Sequence, residues 1–167
     1  MKKILTLLVA ALLFAPGAGV AAEPAMKLVL EGDKAITVTD VAGKAIPGKD
    51  FFGAKRTVLI FSQTACANCR GEISFLMGQA KDFPKLNFAV AIVDMKVDAA
   101  RIGSFLEAVS FKGTALIDPA WDLASKLGVS STPATAIVDK DGTVLFTHAG
   151  YTGDSNKILL DALKKAN

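Results

Sequence analysis

From residue 36 onward, apolar and polar positions follow two distinct periods. The stretch "AITVTDVAGKAI" alternates around Ile36 and Val38 and turns at Gly43, which predicts a short β-hairpin. Continuous apolar runs follow at residues 57–61 ("TVLIF"), 87–93 ("NFAVAIV") and 114–117 ("TALI"). Runs of this length without alternation suit strands covered on both faces. Between them the apolar residues recur at helical spacing, first Ile73, Leu76, Met77 and Ala80, then Ile102, Phe105, Leu106 and Val109. Asp118-Pro119 predicts the start of a third helix, with aspartate as cap and proline in the first turn, and Gly128 is placed to stop it. "ATAIVDKDGTVLFTHAG" predicts two strands joined by an Asp-Lys-Asp-Gly turn, and a last helix begins near Asp154 with Ile158, Leu159, Ala162 and Leu163 on one side. Strands alternating with helices predict an α/β domain whose mixed sheet has helices on both faces.

The first 22 residues follow a different plan. Lys2 and Lys3 precede an apolar run over residues 4–15, then Pro16 and small residues up to Val20-Ala21-Ala22. That is the order of a secretory signal, and the run is short for a membrane span. The expected product is a domain of residues 23–167 in the periplasm, with cleavage after Ala22; an uncleaved leader would anchor the same domain to the membrane. Without Lys2 and Lys3 the formal charge falls from +3 to +1. So small a charge offers no electrostatic basis for nucleic-acid binding. A chain of this length buries a core large enough to fold without staples.

The two cysteines, Cys66 and Cys69, stand in "TACANC", between a buried strand and a long helix. The helix N-terminus favours a thiolate on the first cysteine, and the second lies one turn inside, within reach to close a ring. This is the layout of a disulfide-exchange centre. Structural zinc usually takes four ligands, and the chain has two cysteines and one histidine. Covalent haem needs histidine directly after the second cysteine, where Arg70 stands. A purely structural disulfide closing so small a ring gains little by constraining the unfolded chain.

With "TVLIFSQTACANCRGEI" and "LGVSSTPATAIVDKDGTVLFTHAGY", nearly the whole domain resembles the thioredoxin superfamily in its exported TlpA/ResA-like branch. The resemblance implies a thioredoxin-like fold with an N-terminal hairpin. It also implies an extra β-α unit, including residues 87–110, between the CxxC helix and Pro133. Cys66 becomes the nucleophile and Cys69 the resolving thiol. The Thr132-Pro133 peptide is expected to be cis, with the Thr132 backbone receiving the substrate chain. Glu72, one turn after Cys69, is expected to tune the Cys69 thiol or accept its proton. The implied activity is reduction of disulfides in exported proteins, such as apocytochrome c or copper-site cysteines. A membrane thiol carrier supplies electrons, and no cofactor is needed beyond the Cys66–Cys69 disulfide. No metal site is expected, and the protein is expected to be a monomer.

Departures bear on potential and partner. Ala65 stands where the family usually has tryptophan, Ala67-Asn68 lacks the proline of many members, and Ile60 replaces the buried aspartate of plain thioredoxins. Thr64-x-Cys66 also resembles Sco-like copper proteins, so a Cu(I)-binding module is the alternative. Those proteins use CxxxC and a downstream histidine, where this chain has CxxC and Ser-Ser-Thr-Pro. Neither cysteine shows the Pro-xxx-Thr-xx-Cys pattern of thiol peroxidases. His148 and Trp121 read as packing or surface residues, Met77 and Met95 as core, and Lys96, Asp98 and Arg101 as the solvated start of a helix.

Overall fold

A computed structural model describes residues 26–167. In chain order the elements are β1 (Thr37–Asp40), β2 (Ala45–Pro47), α1 (Gly48–Phe52), β3 (Thr57–Ser62), α2 (Ala67–Ala80), β4 (Asn87–Ile92), α3 (Ala99–Ala108), β5 (Thr114–Ile117), α4 (Asp122–Lys126), β6 (Ala134–Val138), β7 (Val144–Ala149) and α5 (Ser155–Ala166). The strands form one sheet in the order β2-β1-β5-β4-β3-β6-β7. The β3, β4 and β5 strands are parallel, while β6 and β7 run antiparallel to their neighbours. Hairpin β1–β2 turns at Gly43, where φ is +82°, and joins the far edge by pairing β1 with β5.

The continuous apolar runs are explained by coverage of both sheet faces. Val58 and Ile60 of β3, with Val90 and Ile92 of β4, pack under α2, α3 and α5 through Ile73, Leu76, Ile102, Phe105, Leu159 and Leu163. Leu59, Phe61, Ala89 and Ala91 face the other way, toward Phe52 of α1 and Leu123 and Ala124 of α4. Every residue of β3 is buried. A strand with no solvated face cannot alternate.

Two expectations need correction. The third helix does not begin at Asp118-Pro119 but at Asp122, after Trp121 in a left-handed conformation with φ +59°. Asp118 still serves its start from a distance, its buried carboxylate accepting hydrogen bonds from the N–H of Leu123 (3.2 Å) and Ala124 (2.9 Å). Capping here acts across a turn rather than at the residue adjoining the helix. Met95 is not core: it is 80% exposed, because β4 ends at Ile92 and residue 95 lies in the loop beyond it. Met77 is partly buried against the α2 side of the sheet. The leader expected over residues 1–22 lies outside the described residues. Among the described residues, no helix is long and apolar enough to cross a membrane.

Candidate active site

At the carboxyl end of β3 the chain passes through Gln63, Thr64 and Ala65 to Cys66, the N-cap of α2. Cys66 keeps an extended backbone (φ −87°, ψ 114°), and its Sγ accepts a hydrogen bond from the Cys69 N–H at 3.1 Å. A sulfur thus takes the place usually filled by a serine or aspartate oxygen at a helix start. Cys66 and Cys69 form a disulfide with Cα atoms 5.2 Å apart. The pair is asymmetric: Cys66 is partly exposed, and Cys69 is fully buried.

The loop before Cys66 is tied on three sides. The Thr64 N–H donates to Asp94 Oδ2 at 2.8 Å, just past the end of β4. Arg70 Nη2 donates to the Thr64 carbonyl at 3.3 Å. Thr132 Oγ1 donates to Gln63 Oε1 at 2.9 Å. The last of these follows from register. β3 and β6 are antiparallel with Phe61 opposite Ala134, so the residues beyond Phe61 meet those before Ala134. The Thr132–Pro133 peptide is cis, and Pro133 is buried. The Pro133 carbonyl accepts from the Gly150 N–H, whereas the Thr132 backbone makes no such bond among the described residues. Thr132 therefore offers a free N–H and C=O on the same rim as Cys66.

Glu72 follows Cys69 by one turn of α2, and both side chains are buried with Ile73 and Leu76. Spacing of three residues places them on one helix face. Glu72 Oε1 accepts a hydrogen bond from Thr135 Oγ1 at 2.7 Å, while Oε2 is buried with no partner. Thr135 lies opposite Ile60 on β6. The buried carboxyl thus reaches the sheet from α2, above a strand position occupied by isoleucine. Burial pushes the Glu72 carboxyl up to about 7 from an ordinary 4.5, against the smaller opposing effect of the Thr135 hydrogen bond.

Gln63, Asp94 and Thr135 were not singled out by sequence. The only available signal was a polar residue at the end of, or inside, an otherwise apolar strand. His148 sits on β7 opposite Thr135 and its Nε2 lies 3.1 Å from Ser155 Oγ. Trp121 packs partly buried against the α4 side of the core. Among the described residues, no group of three or more His, Cys, Asp or Glu side chains is arranged to hold a metal ion.

The family model for the AhpC/TSA family matches residues 31–147. The chain is 28% identical over 108 residues to the thiol-disulfide oxidoreductase ResA of Bacillus thuringiensis subsp. konkukian, an alignment covering 65% of this chain and 62% of that protein. It therefore spans less than two thirds of the length of the curated relatives it matches. Among solved structures, MTB dsbF in mixed oxidized and reduced forms superposes with a TM-score of 0.65 at 22% identity, over 79% of this chain and 95% of that one. A secreted Mycobacterium tuberculosis disulfide oxidoreductase homologous to E. coli DsbE gives 0.64 at 24% identity, over 78% and 95%. These likenesses establish the thioredoxin-like fold, and the strand-CxxC-helix and Thr-Pro segments lie inside the family match. The chain belongs to the AhpC/TSA family and has a thioredoxin-like fold.

Proposed function

We propose that this chain is an exported thiol–disulfide oxidoreductase that reduces disulfides of periplasmic proteins. The observation that carries the reading is the asymmetry of the cysteine pair, with Cys66 partly exposed at a helix N-cap and Cys69 fully buried one turn inside. In the reduced protein the helix N-terminus and the Cys69 N–H stabilise a Cys66 thiolate. That thiolate attacks one sulfur of the target disulfide, forming a mixed disulfide and releasing the other target sulfur as a thiolate. Cys69 gives up its proton and attacks Cys66 Sγ, which expels the second target sulfur. The target gains two electrons, and Cys66–Cys69 becomes the disulfide. A dithiol donor, here a membrane thiol carrier, restores the reduced pair by the same exchange in reverse.

Thr132 and Pro133 serve as the substrate rim. The free N–H and C=O of Thr132 pair with an extended target segment as a short added strand. Glu72 acts on Cys69: its ionised carboxylate accepts the Cys69 proton as the thiol ionises, and the neutral carboxyl so formed no longer opposes the thiolate by like charge. The "MKKILTLLVAALLFAPGAGVAA" leader supports a periplasmic location, and apocytochrome c or copper-site cysteines are the proposed targets. No cofactor beyond the disulfide enters this scheme.

Strong oxidants of this chemistry owe their potential to a stabilised reduced form. Here the helix end stabilises the Cys66 thiolate, but the fully buried Cys69 and the buried Glu72 carboxyl, which opposes nearby negative charge when ionised, offset it. A redox titration of the Cys66–Cys69 couple is therefore expected to place it nearer the about −270 mV of a reductant than the about −120 mV of a strong oxidant. A value at the oxidising end would reverse the direction of electron flow.

A further inference from the structure

Beside Cys66, away from Pro133, lies a surface pocket of about 370 Å³ lined by Thr64, Ala65, Arg70, Arg101, Ser104 and Phe105. The exchange chemistry uses none of its charged groups. Neither Arg70 nor Arg101 has a carboxylate within salt-bridge distance among the described residues. The two nearby aspartates are already engaged. Asp94 accepts from Thr64, and Asp98 caps α3 by accepting from the Arg101 N–H at 2.7 Å. Arg70 is held in place, its guanidinium carbon 6.0 Å from the Phe105 ring centroid and one nitrogen on the Thr64 carbonyl. A guanidinium carries five N–H donors in a planar fork that matches a carboxylate, so Arg70 keeps donors to spare. Arg101 and Ser104 are three residues apart on α3 and share a face. Ala65, the residue before Cys66, contributes only a methyl group to the lining.

Topology places this pocket on the β4 side of β3 and Thr132 on the β6 side. A chain paired with Thr132 and crossing Cys66 runs toward the arginines. We propose that the pocket receives an acidic side chain of the protein substrate, carried on the segment next to its disulfide, and so selects targets with Asp or Glu there. This rests on the oxidoreductase reading above.

Two synthetic peptides test it. They share one sequence and one disulfide and differ only in a Glu or a Gln flanking a cysteine. At low salt the reduced protein is expected to reduce the Glu peptide about fivefold faster in kcat/KM, the scale of a rim charge contact. Arg101→Glu is expected to abolish or invert that ratio while leaving the Gln peptide unchanged, and Arg101→Lys to keep part of it. Ala65→Trp, which fills the pocket, is expected to bring the ratio toward one. Equal rates for both peptides with the wild-type protein overturn the pocket assignment alone. So does an Arg101→Glu variant that slows both peptides equally. Failure to reduce either peptide overturns the oxidoreductase reading and this inference with it.

Discussion

Cys66→Ser is expected to abolish disulfide reduction, a loss on the order of 10³-fold or more, because the remaining thiol, on Cys69, is fully buried and out of reach of a target disulfide. Cys69→Ser is expected to leave the first step intact and stop the second. It then accumulates covalent adducts with target proteins, since the buried group that should attack Cys66 Sγ no longer carries a thiol. Non-reducing electrophoresis followed by mass spectrometry reads both outcomes, with Cys66 found in every adduct. The prediction rests on the difference in burial between the two cysteines. Adducts forming through Cys69 in the Cys66→Ser variant would show that the roles are exchanged.

Glu72→Gln is expected to stabilise the oxidised protein at alkaline pH and to have little effect in acid. Glu72 is fully buried and its carboxyl sits at about 7, above the ordinary 4.5. Below about pH 4.5 both folded and unfolded chains hold the proton, and ionisation of this group costs folding nothing. As pH rises from 4.5 toward 7 the unfolded chain ionises first, so folding loses stability progressively until the folded carboxyl ionises too. Above that point the loss is constant, at about 3 kcal/mol from a shift of this size. Urea unfolding of wild type and Glu72→Gln at pH 4 and pH 8 isolates the effect, since the other titrating groups are shared. The advantage of the variant should grow by most of that amount between the two. An advantage equal at both pH values would mean that Glu72 is not the buried acid described. The unpaired Oε2 is part of the reason for the size of the effect, because only Oε1 has a donor.

The fold was legible where one residue's surroundings follow from its neighbours in sequence. The buried strands showed as unbroken apolar runs because both faces of β3 and β4 are covered. The place of Cys66 showed because a buried strand ended a few residues before a helical period began. The ties that shape the site did not show, since each joins residues far apart in the chain. Thr132 to Gln63 spans 69 positions, Thr135 to Glu72 spans 63, and Thr64 to Asp94 spans 30. Such pairs are set by strand register, which a single sequence fixes only after the pairing order is known. Asp118 misled for a related reason: its carboxylate reaches across a turn to cap a helix that starts four residues later. Met95 misled because an apolar residue in a loop carries no periodicity to reveal its exposure.

Cys66 and Cys69 are expected to exchange a disulfide with a protein target. A single-turnover reaction tests it most directly, mixing the reduced protein with a stoichiometric disulfide-linked peptide hormone such as insulin and following both partners by mass spectrometry after acid quench. Each Cys66–Cys69 disulfide formed is expected to be matched by one target disulfide lost, through a transient adduct on Cys66. A target left intact, by a protein whose two thiols instead bind one Cu(I) tightly, would contradict it in favour of a copper-binding module.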